Sequence, residues 1–125
     1  MKPNILIIDD EPEMCWAVAK AMEMEGFTAI TANGGQEGLK IFSSEKIAVV
    51  LVDLKMPDMD GIEVIKELRH VDPEVPVVLI TGHGSMDVAH EALSEDATGY
   101  IIKPFRMAAL RATVKKMINE LELQD

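Results

Sequence analysis

The sequence predicts an α/β domain: a five-stranded parallel sheet, doubly wound, with helices on both of its faces. Three observations predict it. Short apolar runs alternate with helical patterns five times along the chain. The runs are continuously apolar rather than alternating, as expected of strands buried from both sides. The 125 residues also suffice for one substantial core.

The elements follow in order. Apolar runs at 5–8 (ILII), 27–31 (FTAIT), 48–52 (AVVLV), 77–80 (VVLI) and 99–102 (GYII) read as strands. The first helical pattern begins after Pro12, places Met14, Ala17, Val18, Ala21 and Met22 on one face, and stops at Gly26, a suitable helix terminator. The second covers about 36–43 with Leu39, Ile41 and Phe42 inward. The third starts near Gly61, buries Ile62, Val64, Ile65 and Leu68, and is closed by Pro73 and Pro76. A fourth runs from Ser85, an N-cap residue, through Val88, Ala89, Ala92 and Leu93. The fifth spans about 107–121, with Leu110, Val114, Met117, Ile118 and Leu121 in phase. Of the doubly wound strand orders, five strands best suit the flavodoxin-like 2-1-3-4-5. We expect one domain over residues 1–125, with no internal repeat or linker.

Composition narrows the function. Twelve basic against 22 acidic residues give a formal charge of −10. Binding nucleic acid through phosphate neutralisation needs a basic face, so this chain is not expected to touch DNA or RNA. No apolar run approaches 18 residues, so no membrane span is expected. The opening residues lead straight into a strand pattern without the marks of a leader. One cysteine, Cys15, cannot form an internal disulfide; a cytoplasmic, reducing setting is the default, with Cys15 a small core hydrophobe.

Open parallel sheets bind ligands outside the carboxyl ends of their strands, at the switch point between strands one and three. Strand one ends in Asp9-Asp10-Glu11, strand three in Asp53, strand four in Thr81 and strand five in Lys103. Singly, each has an ordinary explanation: a loop cap, an acidic helix start, a β-branched strand end, a surface lysine. Together they do not. Three carboxylates at adjacent strand ends repel one another. A hard divalent cation resolves that repulsion, and an all-oxygen site suits Mg²⁺ better than zinc. With the metal, Lys103 and Thr81 equip the edge to hold a phosphoryl group, and a carboxylate oxygen beside the metal can accept it as an acyl phosphate.

The blocks ILIIDDEPE, VVLVDLKMPDMDG, VVLITGHGS and GYIIKPF, in this order and spacing, resemble the receiver domain of bacterial two-component response regulators. TGHG and Trp16 look closest to receivers of enhancer-binding transcriptional activators. The resemblance implies that Asp53 accepts a phosphoryl group from a histidine kinase or a histidine phosphotransfer protein. It further implies that Asp10, Asp53 and the main-chain carbonyl of Lys55 bind Mg²⁺ directly, while Asp9 acts mainly through metal-bound water. Lys103 would pair with the phosphoryl oxygens and Thr81 would hydrogen-bond one of them. Tyr100 matches the switch aromatic, and a cis Lys103–Pro104 bond is expected. Lys55 and His83, two residues past Asp53 and Thr81, sit where the family tunes phosphoryl lifetime, and Thr98 and Gly99 where it tolerates variation.

The remaining signals carry two readings each. Gly82 and Gly84 leave room for a phosphodonor and freedom for Thr81 to move, or form an ordinary strand-to-helix turn. Asp58 and Asp60 read as solvated turn or cap residues, not metal ligands. Trp16 falls off the core face: a contact for a kinase, or a ring lying on its own helix. Met86, His90, Tyr100, Met107 and Arg111 lie on the presumed output surface, whose methionines are as readily core. Expected partners are a sensor kinase or phosphotransfer protein and an output domain or protein, with a phosphorylation-dependent homodimer as a further possibility. Two enzymatic or carrier readings compete. A haloacid-dehalogenase-type phosphotransferase needs a second aspartate two residues past the first, where Lys55 stands. An FMN carrier needs a hydroxyl- and glycine-rich loop after strand one, where the chain has DDEPE.

Overall fold

The computed structural model describes residues 2–82, 87, 90, 91 and 97–124, the side chains of 122–124 excepted. Its elements in chain order are β1 (Asn4–Ile8), α1 (Pro12–Met24), β2 (Thr28–Ala32), α2 (Gly35–Ser44), β3 (Val49–Asp53), α3 (Gly61–Val71), β4 (Val77–Gly82), β5 (Gly99–Lys103) and α4 (Met107–Gln124). Asp87, His90 and Glu91, between β4 and β5, are helical. Ser85, Met86, Val88, Ala89, Ala92 and Leu93, on which the expectation of a further helix rested, lie outside the described residues, as do His83 and Gly84.

The five strands form one parallel sheet in the expected order, β2-β1-β3-β4-β5. Strand alternation sends successive side chains to opposite faces, and each face has its own core. On one face Leu6, Ile8, Val50, Val52, Val77 and Leu79 pack with Phe42 of α2 and Val64, Ile65 and Leu68 of α3. On the other Ile5, Ile7, Val49, Leu51, Val78 and Ile80 pack with Cys15, Val18, Ala21 and Met22 of α1 and Leu110, Val114 and Ile118 of α4. Most of these side chains are fully buried, each contributing about 1.5–3 kcal/mol of transfer free energy for the larger ones. Tyr100 packs partly buried against the first core, while Ile101 next to it faces the second.

Three strands run further than their apolar patterns: β3 includes Asp53, β4 includes Thr81 and Gly82, and β5 includes Lys103. The reason is that the ladder pairs backbones, not side chains. Asp53 pairs with Ile80, Thr81 with Ile102, and Gly82 with Lys103. The edge strand β2 sits one residue later than expected and ends at Ala32, not Thr31. Phe27 is left to the end of α1, where its N–H donates to the Met22 carbonyl. That turn passes through Gly26 at φ +86°, a conformation suited to glycine. In α1 the buried stripe is Cys15, Val18, Ala21 and Met22, with Met14 and Ala17 half-buried at its margin. Among the described residues, no helix is long and apolar enough to cross a membrane.

Candidate functional site

The carboxyl ends of β1, β3, β4 and β5 bring Asp9, Asp53, Thr81 and Lys103 to one edge of the sheet. All but Lys103 are sealed from solvent: Asp9 is 1% exposed, Asp53 4% and Thr81 1%. Buried polar groups of this kind are normally fully hydrogen-bonded. Here two are not. Asp9 Oδ2 and Thr81 Oγ1 have no hydrogen-bond partner among the described residues. Asp9 uses its other oxygen, Oδ1, to accept from the Glu11 N–H at 2.9 Å.

Asp9, Asp10 and Asp53 each offer a carboxylate oxygen, and the three oxygens lie within 4.8 Å of one another. Against them stands Lys103, whose Nζ is 2.9 Å from Asp53 Oδ1 and 4.0 Å from Glu11 Oε1. The imbalance shows in the titrations. Burial, opposed by the Glu11 N–H and reinforced by the charge of Asp53, pushes the Asp9 carboxyl up to about 6. Burial also raises Asp53; the hydrogen bond and charge of Lys103 oppose it, and Asp10 and Glu11 add to it. Burial works to lower Lys103, but the hydrogen bond and charge of Asp53, with Asp9 and Glu11, outweigh it and hold the ammonium above its ordinary range.

These are the marks of a site that fits a divalent cation. Crowded carboxylates with an orphaned buried oxygen and raised pKa values are what a bound cation would relieve. The donors are all oxygen, matching a hard ion such as Mg²⁺. Lys55 is exposed in the turn that follows Asp53, and Gly61 lets that turn close tightly. The Gly61 N–H donates to the Leu54 carbonyl at 2.7 Å, and a Cβ on Gly61 would stand 2.7 Å from the Asp53 carbonyl oxygen. Gly82 differs: among the described residues a Cβ there meets nothing within 4 Å.

The two turn carboxylates are caps, and only one caps its own helix. Asp60 starts α3 with a reciprocal capping box: it accepts from the Glu63 N–H at 2.9 Å, and Glu63 accepts from the Asp60 N–H at 3.2 Å. Asp58 instead accepts from Gly35 and Gln36 at the start of α2. Neither Asp58's reach to another helix nor Glu11's approach to Lys103 was visible in the sequence, where both are ordinary acidic residues. Cys15 lies behind the site, its thiol donating to the Asp9 carbonyl at 3.1 Å. Burial first, and then the charge of Asp9, push that thiol up to about 11, in keeping with a core role.

The remaining candidates lie apart. Trp16 is 66% exposed, and its ring lies 5.9 Å from the Lys20 ammonium, a cation–π distance. Arg111 is engaged by an ion pair to Glu25 at 3.4 Å, Met107 is partly buried in the second core, and His90 is exposed. The Lys103–Pro104 bond is cis.

Residues 5–115 match the family model described as "Response regulator receiver domain". The regulatory protein AtoC of Escherichia coli K12 is 38% identical over 116 residues, which are 93% of this chain and 25% of AtoC. A response regulator receiver domain protein from Clostridium thermocellum superimposes with a TM-score of 0.92 at 34% identity, covering 98% of this chain and 99% of that one. NtrX from Brucella abortus gives a TM-score of 0.92 at 28% identity, over 99% of this chain and 28% of that one. The chain thus spans about a quarter of the length of the curated relatives it matches.

Proposed function

The chain belongs to the response regulator receiver domain family, and from that membership we propose that it accepts a phosphoryl group on Asp53 in a Mg²⁺-dependent reaction. The donor is the phosphohistidine of a sensor kinase or a phosphotransfer protein. One observation carries the assignment: a buried carboxylate, Asp53, lies 2.9 Å from Lys103 and within 4.8 Å of the Asp9 and Asp10 oxygens.

Asp9, Asp10, Asp53 and the Lys55 carbonyl are the residues that would hold Mg²⁺, which when bound neutralises charge on the carboxylate and phosphoryl oxygens. An Asp53 oxygen attacks phosphorus, the P–N bond to the donor imidazole breaks, and the imidazole leaves with the bonding pair. Lys103 pairs with the transferred oxygens, and the Thr81 hydroxyl, unpartnered among the described residues, is available to donate to one of them. Drawing Thr81 inward vacates space on the face where Tyr100 lies, and a shift in Tyr100 changes the surface formed by β5 and its neighbours. Phosphorylation biases that equilibrium only by contacts that differ between the two packings.

The downstream recipient is an output domain or a partner protein, with a phosphorylation-dependent homodimer as one route, and the setting is cytoplasmic. The chain is a signalling phosphoacceptor and catalyses only its own phosphorylation and dephosphorylation. The dehalogenase-type alternative gains no support, since the matched family is the receiver and Lys55 stands where that chemistry needs an aspartate. The test is labelling from a small phosphodonor with MgCl₂, paired with beryllofluoride binding. Wild type takes up label and Asp53→Asn takes up none; label retained by folded Asp53→Asn would sink the assignment.

A further inference from the structure

The turn that follows Asp53, residues 54–60, is fastened by side-chain caps at two points, and one of them reaches outside its own helix. Asp58 Oδ1 accepts from the Gly35 N–H at 3.1 Å and Oδ2 from the Gln36 N–H at 2.9 Å. Helix α2 has no cap of its own, because Gly34 holds its N-cap position. The packing is built around this contact. A Cβ on Gly34 would stand 2.9 Å from Asp58 Oδ1, and one on Gly35 would overlap the Met59 side chain. The Met59 sulfur in turn accepts from Gln36 Nε2 at 3.7 Å. The two amides, Gln36 foremost, hold the Asp58 carboxyl below its ordinary range.

What is fastened matters. The turn begins directly after Asp53 and carries Lys55, whose carbonyl is the main-chain oxygen of the proposed cation site. Helix α2 follows β2, whose last residue, Ala32, accepts from the Asp9 N–H at 3.1 Å. One carboxylate therefore ties the turn after Asp53 to the segment braced against Asp9.

We infer that Asp58 is a positioning residue for the divalent-cation site, holding turn 54–60 in place before the ion arrives so that binding does not have to order it. The inference rests on the proposed function, which puts the cation there. The ordinary alternative is a cap that stabilises α2 and nothing else.

The test is a titration with MgCl₂, followed by backbone amide NMR shifts, on wild type and five variants. Asp58→Ala raises the Mg²⁺ Kd roughly three- to tenfold, and Asp58→Asn, which keeps one acceptor oxygen, raises it less. Gly34→Ala, which displaces the carboxylate while leaving it present, acts in the same direction. Thr98→Ala removes the bond from the Val77 N–H to Thr98 Oγ1, 2.9 Å, at the opposite edge of the sheet; it leaves the Kd unchanged. Asp10→Asn abolishes binding. Amide exchange at Gly35, Gln36, Lys55 and Met56 quickens in Asp58→Ala. Wild-type affinity in both Asp58→Ala and Gly34→Ala, with Asp10→Asn dead, overturns the inference and leaves the functional reading standing. Equal binding by Asp10→Asn and wild type overturns the functional reading and this inference with it. If Asp58→Ala does not fold, Asp58→Asn and Gly34→Ala decide between the same two outcomes.

Discussion

The two ends of helix α1 manage negative charge in opposite ways. Past its C-terminus Glu25 sits where the helix dipole disfavours a carboxylate, yet two cations answer it: Arg111 Nε at 3.4 Å and Lys115 Nζ at 3.6 Å. Before its N-terminus the dipole favours acids, and there Asp9, Asp10 and Glu11 gather beside Asp53, with Lys103 the cation opposite them among the described residues. The first end is settled and could belong to any stable protein. The second carries more acids than cations, with one buried carboxylate oxygen unpartnered among the described residues. Surplus charge concentrated at one end of one helix, on buried carboxylates, costs stability unless something offsets it.

That contrast can be tested from both ends. The largest effect is expected at Asp9. Its carboxyl titrates near 6 when folded against 3.8 as the ordinary value. The folded state therefore holds more protons between those values, so stability is lost as pH rises through that window. Asp9→Asn, in EDTA at pH 7, is expected to gain on the order of 1–3 kcal/mol in denaturant unfolding. A loss would show that the crowding at this end is not costly. The wild type itself should gain stability from pH 7 down to about 5 in EDTA, and saturating MgCl₂ should flatten that slope by stabilising the ionised site. A slope indifferent to MgCl₂ would mean that no cation engages Asp9. The smallest effect is expected at the other end. Glu25→Gln should lose less than about 1 kcal/mol in denaturant unfolding, as for partly exposed pairs generally.

The architecture could be read from the residues because the central strands β1, β3 and β4 are buried on both faces and so almost wholly apolar, whereas the edge strands β2 and β5 are only partly buried. The candidate site could be read because four of the five runs lead into a polar residue, Asp9, Asp53, Thr81 and Lys103, the exception being β2. Strand ends were missed by one or two residues, since Thr81 and Lys103 break the apolar pattern but not the backbone ladder. Asp58 shows a different limit. Its carboxylate serves amides more than twenty positions earlier, a pairing set by how two turns meet in space and not by local propensity. Glu11 is the same case, because nothing near it in the chain announces Lys103.

β5 carries residues of both faces of the sheet. Lys103, beside Asp53, follows the alternation of Ile101 toward the α1 and α4 side, whereas Tyr100 packs on the α2 and α3 side. Three is an odd number, so along a strand it always separates a pair onto opposite sides. The charged edge and the aromatic therefore lie on opposite faces of one strand, separated by roughly 10 Å along it. Adding one residue between Tyr100 and Lys103 would put both on the same side of the sheet, with every individual side chain still present.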